Sequence, residues 1–186
     1  MTDYLEIARQ VAAQAAAQGV EAEAFIMDQV ETDIQISQGE VEKLSQSGER
    51  GLGVRVINDG KMGYAYTSDF SAEGLEKTWR AAVELAAVAT PDERRGLPAL
   101  QPIPEEDLAI WDESLAGLST EQKVAFIQTA SQAAREADAR IFLVPMAQYF
   151  DNIFHVYLAN SNGFAGSFGK TYAGGVVLAV RVTKTA

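Results

Sequence analysis

His155, in the run Ile153-Phe154-His155-Val156-Tyr157, is the one histidine in this chain of 186 residues, and there is no cysteine. A catalytic zinc site takes three protein ligands and leaves a fourth position for water. Here such a site would have to be completed from carboxylates. His155 shares the parity of Ile153 and Tyr157 on a strand pattern, so it reads as a half-buried strand histidine and not as a ligand. Nucleophilic catalysis is no better supplied. Ser37, Ser45, Ser47, Ser68, Ser71 and Ser161 lie in polar strand or turn contexts. None sits in a G-x-S-x-G elbow, and His155 is the only base of its type. Glu105-Glu106-Asp107 lacks the alternating ligands and the glycine of a calcium loop and reads as solvated surface. Ser68 and Asp69 read as turn and capping residues before a helix. Tyr64 and Tyr66 could line a peptide groove, with cross-strand packing as the simpler role.

The stretch from Gly51 to Asp69, GLGVRVINDGKMGYAYTSD, raises a different chemistry, because glycine-rich loops cradle phosphates. A dinucleotide fingerprint needs G-x-G-x-x-G between a strand and a helix. After Gly51-Leu52-Gly53 the chain continues Val54-Arg55-Val56, and the third glycine is missing. No G-x-x-x-x-G-K-[ST] occurs either. The stretch reads instead as a hairpin. Asp59-Gly60 suits a type I′ turn, in which both central residues take positive φ. That register sets Ile57 opposite Met62, Arg55 opposite Tyr64, Gly53 opposite Tyr66, Val56 opposite Gly63 and Val54 opposite Ala65. A three-residue loop centred on Asn58-Asp59-Gly60 would shift these pairs. Tyr66 is expected to cover Gly53. Val54, Val56, Gly63 and Ala65 form a smooth face on which an Ala-rich helix, from 3–18 or 75–89, can pack closely.

Those helices follow from spacing. Leu5, Ala8, Val11 or Ala12, and Ala15 give a first helical stripe, with Thr2 as cap and Gly19 as left-handed stop. A period of two from Ala24 to Ile36 gives a long strand, "SQGE" a turn, and 41–47 a shorter strand. Leu75, Trp79, Ala82, Val83 and Ala86 give a second helix, capped by Ser71. Residues 89–107 hold four of the five prolines and read as an extended arm. Ser119 and Gln122 have capping-box spacing for a third helix running to about Asp138. Strand-like runs at 141–150, 153–159, 164–169 and 173–183 follow, joined by "DN", "NSNG" and "GKTY" as turns. The fold class is α+β: an N-terminal helix, an antiparallel meander and a second helix, then a further helix plus antiparallel strands. The domain reading is 1–90, a Pro-rich linker or arm at 91–118, and 119–186 as the start of a larger domain cut at the C-terminus.

Composition narrows the function. The hydrophobic fraction is 47%, and 26 Asp and Glu against 15 Lys and Arg give a net charge of -11. Such a field repels nucleic-acid phosphates and does not attract anionic lipid, so neither nucleic acid nor membrane is an expected partner. No basic n-region precedes an apolar run, and "GGVVLAVRV" is too short to span a bilayer. The expected location is the cytoplasm.

"GLGVRVINDGKMGYAYTSDFSAEGL", followed by an Ala-rich helix and a Pro-rich segment, resembles the N-terminal region of the TldD/PmbA family, whose members are often labelled modulators of DNA gyrase. "EKLSQSGERGLGVRVI" is similar to the family segment that leads into it. "VYLANSNGF" resembles the family's N-S-x-G turn. The structural positions carried by these motifs are Gly53, Asp59, Gly60, Gly63, Tyr66, Asn160 and Gly163. The resemblance implies a subunit of a cytoplasmic metalloprotease that degrades or processes peptides. It implies zinc on an H-E-x-x-x-H helix completed by a distant cysteine in TldD-type subunits, and none in PmbA-type ones. With one histidine and no cysteine, this chain is expected to hold no cofactor and to be inactive alone. Zinc is expected only in a catalytic partner or a C-terminal part. The implied partners are TldD/PmbA-type subunits, in a homo- or hetero-oligomer, and a peptide or unfolded-protein substrate. The alternative is a stand-alone protein–protein interaction module.

Overall fold

The computed structural model describes residues 2–102 and 106–182. The elements run α1 Tyr4–Ala16, β1 Glu21–Ser37, β2 Glu40–Asn58, β3 Lys61–Thr67, α2 Ala72–Val88, α3 Glu113–Ala116, α4 Thr120–Glu136, β4 Ile141–Asn160 and β5 Ala165–Arg181. The strands form one five-stranded antiparallel sheet, ordered β3-β2-β1-β4-β5. This is the α+β class.

The chain divides into two compact units. The first takes the residues up to Asp28, then Glu49–Leu108 and His155–Gly169. The second takes Gln29–Gly48, Ala109–Phe154 and the residues from Lys170 onward. Each of β1, β2, β4 and β5 contributes residues to both. In the first unit, Ala8, Val11, Ala12 and Ala15 of α1 and Trp79, Ala82 and Ala86 of α2 share one core with Ala22, Ala24, Ile26, Leu52, Val54 and Val56. In the second, Ile127 of α4 is buried among Ile34, Ile36, Ala147 and Tyr149.

Caps set the helix ends. Asp3, not Thr2, caps α1. Its carboxylate accepts from the Glu6 amide at 3.0 Å, because an Asp oxygen satisfies an orphan N–H and adds charge at the positive helix end. Gly19 follows at φ +80°. Ser71 accepts from the Gly74 amide at 3.1 Å. Ser119 and Gln122 form both bonds of a capping box. α4 ends at Glu136, and the Asp138 side chain binds Arg140 instead.

The hairpin closes with a two-residue loop. Asn58 pairs with Lys61, Ile57 with Met62, Val56 with Gly63, Arg55 with Tyr64, Val54 with Ala65 and Gly53 with Tyr66. Asp59 is at φ +49° and Gly60 at φ +73°. A Cβ on Gly60 would also lie 2.7 Å from the Asp92 carbonyl oxygen, while the Asp92 amide donates to the Gly60 carbonyl at 2.9 Å. Gly60→Ala is therefore expected to cost about 1–2 kcal/mol through the left-handed backbone. An unchanged urea midpoint would contradict that turn.

Two expected turns are absent, and the shorter strand expected at 41–47 does not end there. "DN" at Asp151-Asn152 and "GKTY" at 169–172 lie inside β4 and β5, and β2 runs unbroken through Gly48. Asp, Asn and Gly favour turns over ladder positions, which is why these stretches read as breaks. Here Asp151 has a buried cationic partner and Asn152 donates to Glu31 at 2.9 Å.

Candidate functional site

His155 is half-buried on β4 and stacks on Tyr157, ring centroids 6.5 Å apart and planes 19° from parallel. No group of three His, Cys, Asp or Glu able to hold a metal occurs among the described residues. Glu105 lies outside the described residues, and Glu106 and Asp107 are exposed. Ser68 lies in the short bend before α2. Asp69 accepts from the Ser71 amide at 2.9 Å, and that bond holds its exposed carboxyl below the usual range. Ser71 is occupied as a cap.

Ser161 is held in the turn after β4. Its amide donates to the Ala22 carbonyl at 2.8 Å, and its hydroxyl accepts from the Ala22 amide at 3.1 Å. Asn160 organises that turn. Its side-chain oxygen accepts from the Asn162 and Phe164 amides at 3.0 and 3.1 Å, and Gly163 sits at φ +93°. Asn162 reaches the Pro98 carbonyl of the Pro-rich arm at 3.0 Å. Between arm and turn lies an apolar cavity of about 390 Å³, lined by Glu23, Pro98, Leu100, Leu158 and Phe164 among others. The turn works as a clip joining the start of β1 to the arm.

Tyr64 and Tyr66 are exposed and stack with centroids 6.4 Å apart. The side chain covering Gly53 is that of Tyr64, not Tyr66. A Cβ on Gly53 would meet the Tyr64 hydroxyl at 2.5 Å. The reason is diagonal contact: Gly53 lies two residues from Arg55, the direct partner of Tyr64, and a long ring reaches a diagonal neighbour. Tyr66 is 79% exposed. On the opposite face, Gly63 lets the backbone of α2 come into direct contact with β3.

A polar cluster in the second unit escapes sequence reading. Lys123 of α4 is 2.6 Å from Asp151 of β4, with side chains 4% and 0% exposed. The Lys123 ammonium also donates to the Thr32 hydroxyl at 3.1 Å, and Tyr149 donates to the same Asp151 oxygen at 2.7 Å. Burial, and then the Asp151 carboxylate, push the Tyr149 hydroxyl well above its ordinary pKa. The other Asp151 oxygen accepts no hydrogen bond from a described residue. The only hint in the sequence is Lys123 in helical register with Ile127 and Ser131, all three buried. A cluster this enclosed admits no substrate. Chemically it is a charged clamp between α4 and the sheet.

Around these clamps and clips, the comparisons with known proteins agree. The PmbA/TldA metallopeptidase domain 1 model matches residues 22–86, and the central-domain model of the same family matches residues 113–184. Metalloprotease PmbA of Escherichia coli O157:H7 is 26% identical over 135 residues, covering 72% of this chain and 30% of that protein. Among solved structures, a candidate modulator of DNA gyrase from Bacteroides thetaiotaomicron aligns with a TM-score of 0.83 at 22% identity, covering 99% of this chain and 43% of its own. TldE from Thermococcus kodakarensis aligns with a TM-score of 0.83 at 17% identity, covering 95% and 40%. At these identities the two structures speak for the fold. The chain spans less than half the length of each of these proteins. With its first and central domain models covering most of the sequence, the chain belongs to the PmbA/TldA metallopeptidase family.

Proposed function

We propose that this chain is a non-catalytic portion of a TldD/PmbA-type subunit in a metalloprotease assembly that degrades or processes peptides. It supplies scaffold and subunit contacts, and zinc chemistry belongs to a partner subunit or to a C-terminal part. The observation that carries the reading is the family match across residues 22–86 and 113–184 in a chain with one histidine and no cysteine. The enclosed Lys123–Asp151 cluster and the occupied Ser71 and Ser161 support a structural role for the polar groups that are present. A net charge of -11 favours protein or peptide partners over nucleic acid. No described helix is long and apolar enough to cross a membrane, which is compatible with work in the cytoplasm.

The test is reconstitution with a zinc-bearing TldD-type subunit from the same source. The chain alone should cleave casein or short peptides no faster than a chelator-treated blank. Mixed with the partner subunit, it should co-elute in size-exclusion chromatography with light scattering. Chelator-sensitive cleavage by the chain alone would overturn the non-catalytic role. Separate elution at every concentration would overturn the subunit role.

A further inference from the structure

β5 ends the strand order, so its outer edge faces no strand among the described residues. An exposed ladder edge is a template for another extended chain. Part of this edge is taken. The Thr171 amide donates to the Ile110 carbonyl at 3.0 Å, and the Asp112 amide donates to the Thr171 hydroxyl at 2.9 Å. Residues 109–112 thus lie along β5 as a short strap. Its entry is strained, since Ala109 holds φ +49° without being glycine. Beneath strap and α3 is a cavity of about 560 Å³, lined by Trp111, Leu115, Leu118, Lys170 and Thr171 among others.

Strand alternation gives the rest of the edge. Val182, of even parity, donates its amide to the Arg140 carbonyl at the start of β4, whereas Thr171, of odd parity, donates outward. Ala173, Gly175, Val177 and Ala179 share the parity of Thr171, so their backbone groups face the open side. Their side chains are small, apart from Val177, which packs on the core under α4. On the other face Tyr172, Val176 and Leu178 are about half exposed.

Charge selects the occupant. β5 has 17 residues with Lys170 and Arg181 and no acid, in a chain of net charge -11. Arg181 also helps hold the Asp138 carboxyl below its usual pKa, after the larger effect of Arg140. The strap, by contrast, lies in Glu106-Asp107-Leu108-Ala109-Ile110-Trp111-Asp112-Glu113, which holds four acids. The molecule already shows what this edge accepts: an extended segment with apolar residues between carboxylates. A second copy offers the wrong charge. Antiparallel self-pairing centred on Gly175 sets Lys170 of one copy opposite Val180 of the other, beside Arg181, so like charges meet at both ends.

We propose that the outer edge of β5, from Ala173 to Arg181, binds an extended acidic segment of another polypeptide by strand addition. Main-chain bonds from the odd residues supply affinity, Lys170 and Arg181 select acidic flanks, and the strap marks where the added strand ends.

The probe is a fluorescein-labelled peptide with the sequence of residues 106–116, EDLAIWDESLA, added in trans to the 186-residue chain. It should bind at least tenfold more tightly than KKLAIWKKSLA, and the gap should shrink as salt rises. Amide shifts should concentrate at Ala173, Gly175, Val177 and Ala179. Ala179→Pro removes an outward N–H and no internal ladder bond, so it should fold normally and bind at least tenfold more weakly. Lys170→Glu with Arg181→Glu, both surface changes, should reverse the peptide preference, which keeps the test open if the proline variant misfolds. Equal binding of the two peptides, no binding of the acidic one, or shifts elsewhere would overturn the proposal. So would dimers formed through the same amides.

Discussion

Lys123→Met is expected to destabilise the chain by about 3–5 kcal/mol, because it leaves Asp151 charged, buried and without its cation. The same loss is expected for Asp151→Leu, which strands the ammonium. The double variant Lys123→Met with Asp151→Leu should recover most of that loss, since neither desolvated charge remains and the new side chains fill similar volume. Tyr149→Phe should cost less, about 1–3 kcal/mol, as it removes one donor from a carboxylate that keeps Lys123. Urea unfolding followed by circular dichroism measures all four. Additive losses in the double variant would show that the pair is not coupled, and a single-variant loss under 1 kcal/mol would show that water reaches it.

The second large effect concerns Gly63. Its φ is not positive, so conformational freedom is not the reason for glycine. Space is. A Cβ there would lie 1.9 Å from the Ala82 carbonyl oxygen, 2.4 Å from the Ala86 nitrogen and 3.0 Å from the Ala82 carbonyl carbon. All three are α2 backbone atoms, so no rotamer change relieves the overlap and the helix must lift off β3. Gly63→Ala should cost about 3 kcal/mol or more, at or above the upper end for overpacking a core. Gly53→Ala is the control. The group in its way is the tip of the exposed Tyr64 ring, which can swing outward, so about 1 kcal/mol or less is expected. Gly51→Ala should be milder still, with its nearest contact at 3.6 Å. Equal losses at all three positions would mean that strand propensity, not helix contact, governs this hairpin.

These two cases also mark how far the amino-acid order could be read. Asp59-Gly60 specifies its own turn, since positive φ at two successive positions is a property of those residues. With the turn set, the pairing from Asn58–Lys61 to Gly53–Tyr66 follows by counting. Ser71 and the Ser119–Gln122 box likewise bond within three residues. The smooth face around Gly63, the α+β class and the family motifs were legible for the same reason: each signal and its consequence lie close together in the chain. The Lys123–Thr32 contact joins residues 91 apart, and the Gln148–Asp33 contact residues 115 apart. Nothing near Asp151 announces that Lys123 of α4 will pair with it, so a buried strand centre reads as a turn. Tyr64 over Gly53 turns on how a ring leans across a twisted sheet, which residue pairing leaves open. The acid-free edge of β5 was visible as composition. That its odd amides face outward, with an acidic strap laid against the first of them, is a consequence of strand order, because hydrogen-bond direction is assigned only when neighbours are.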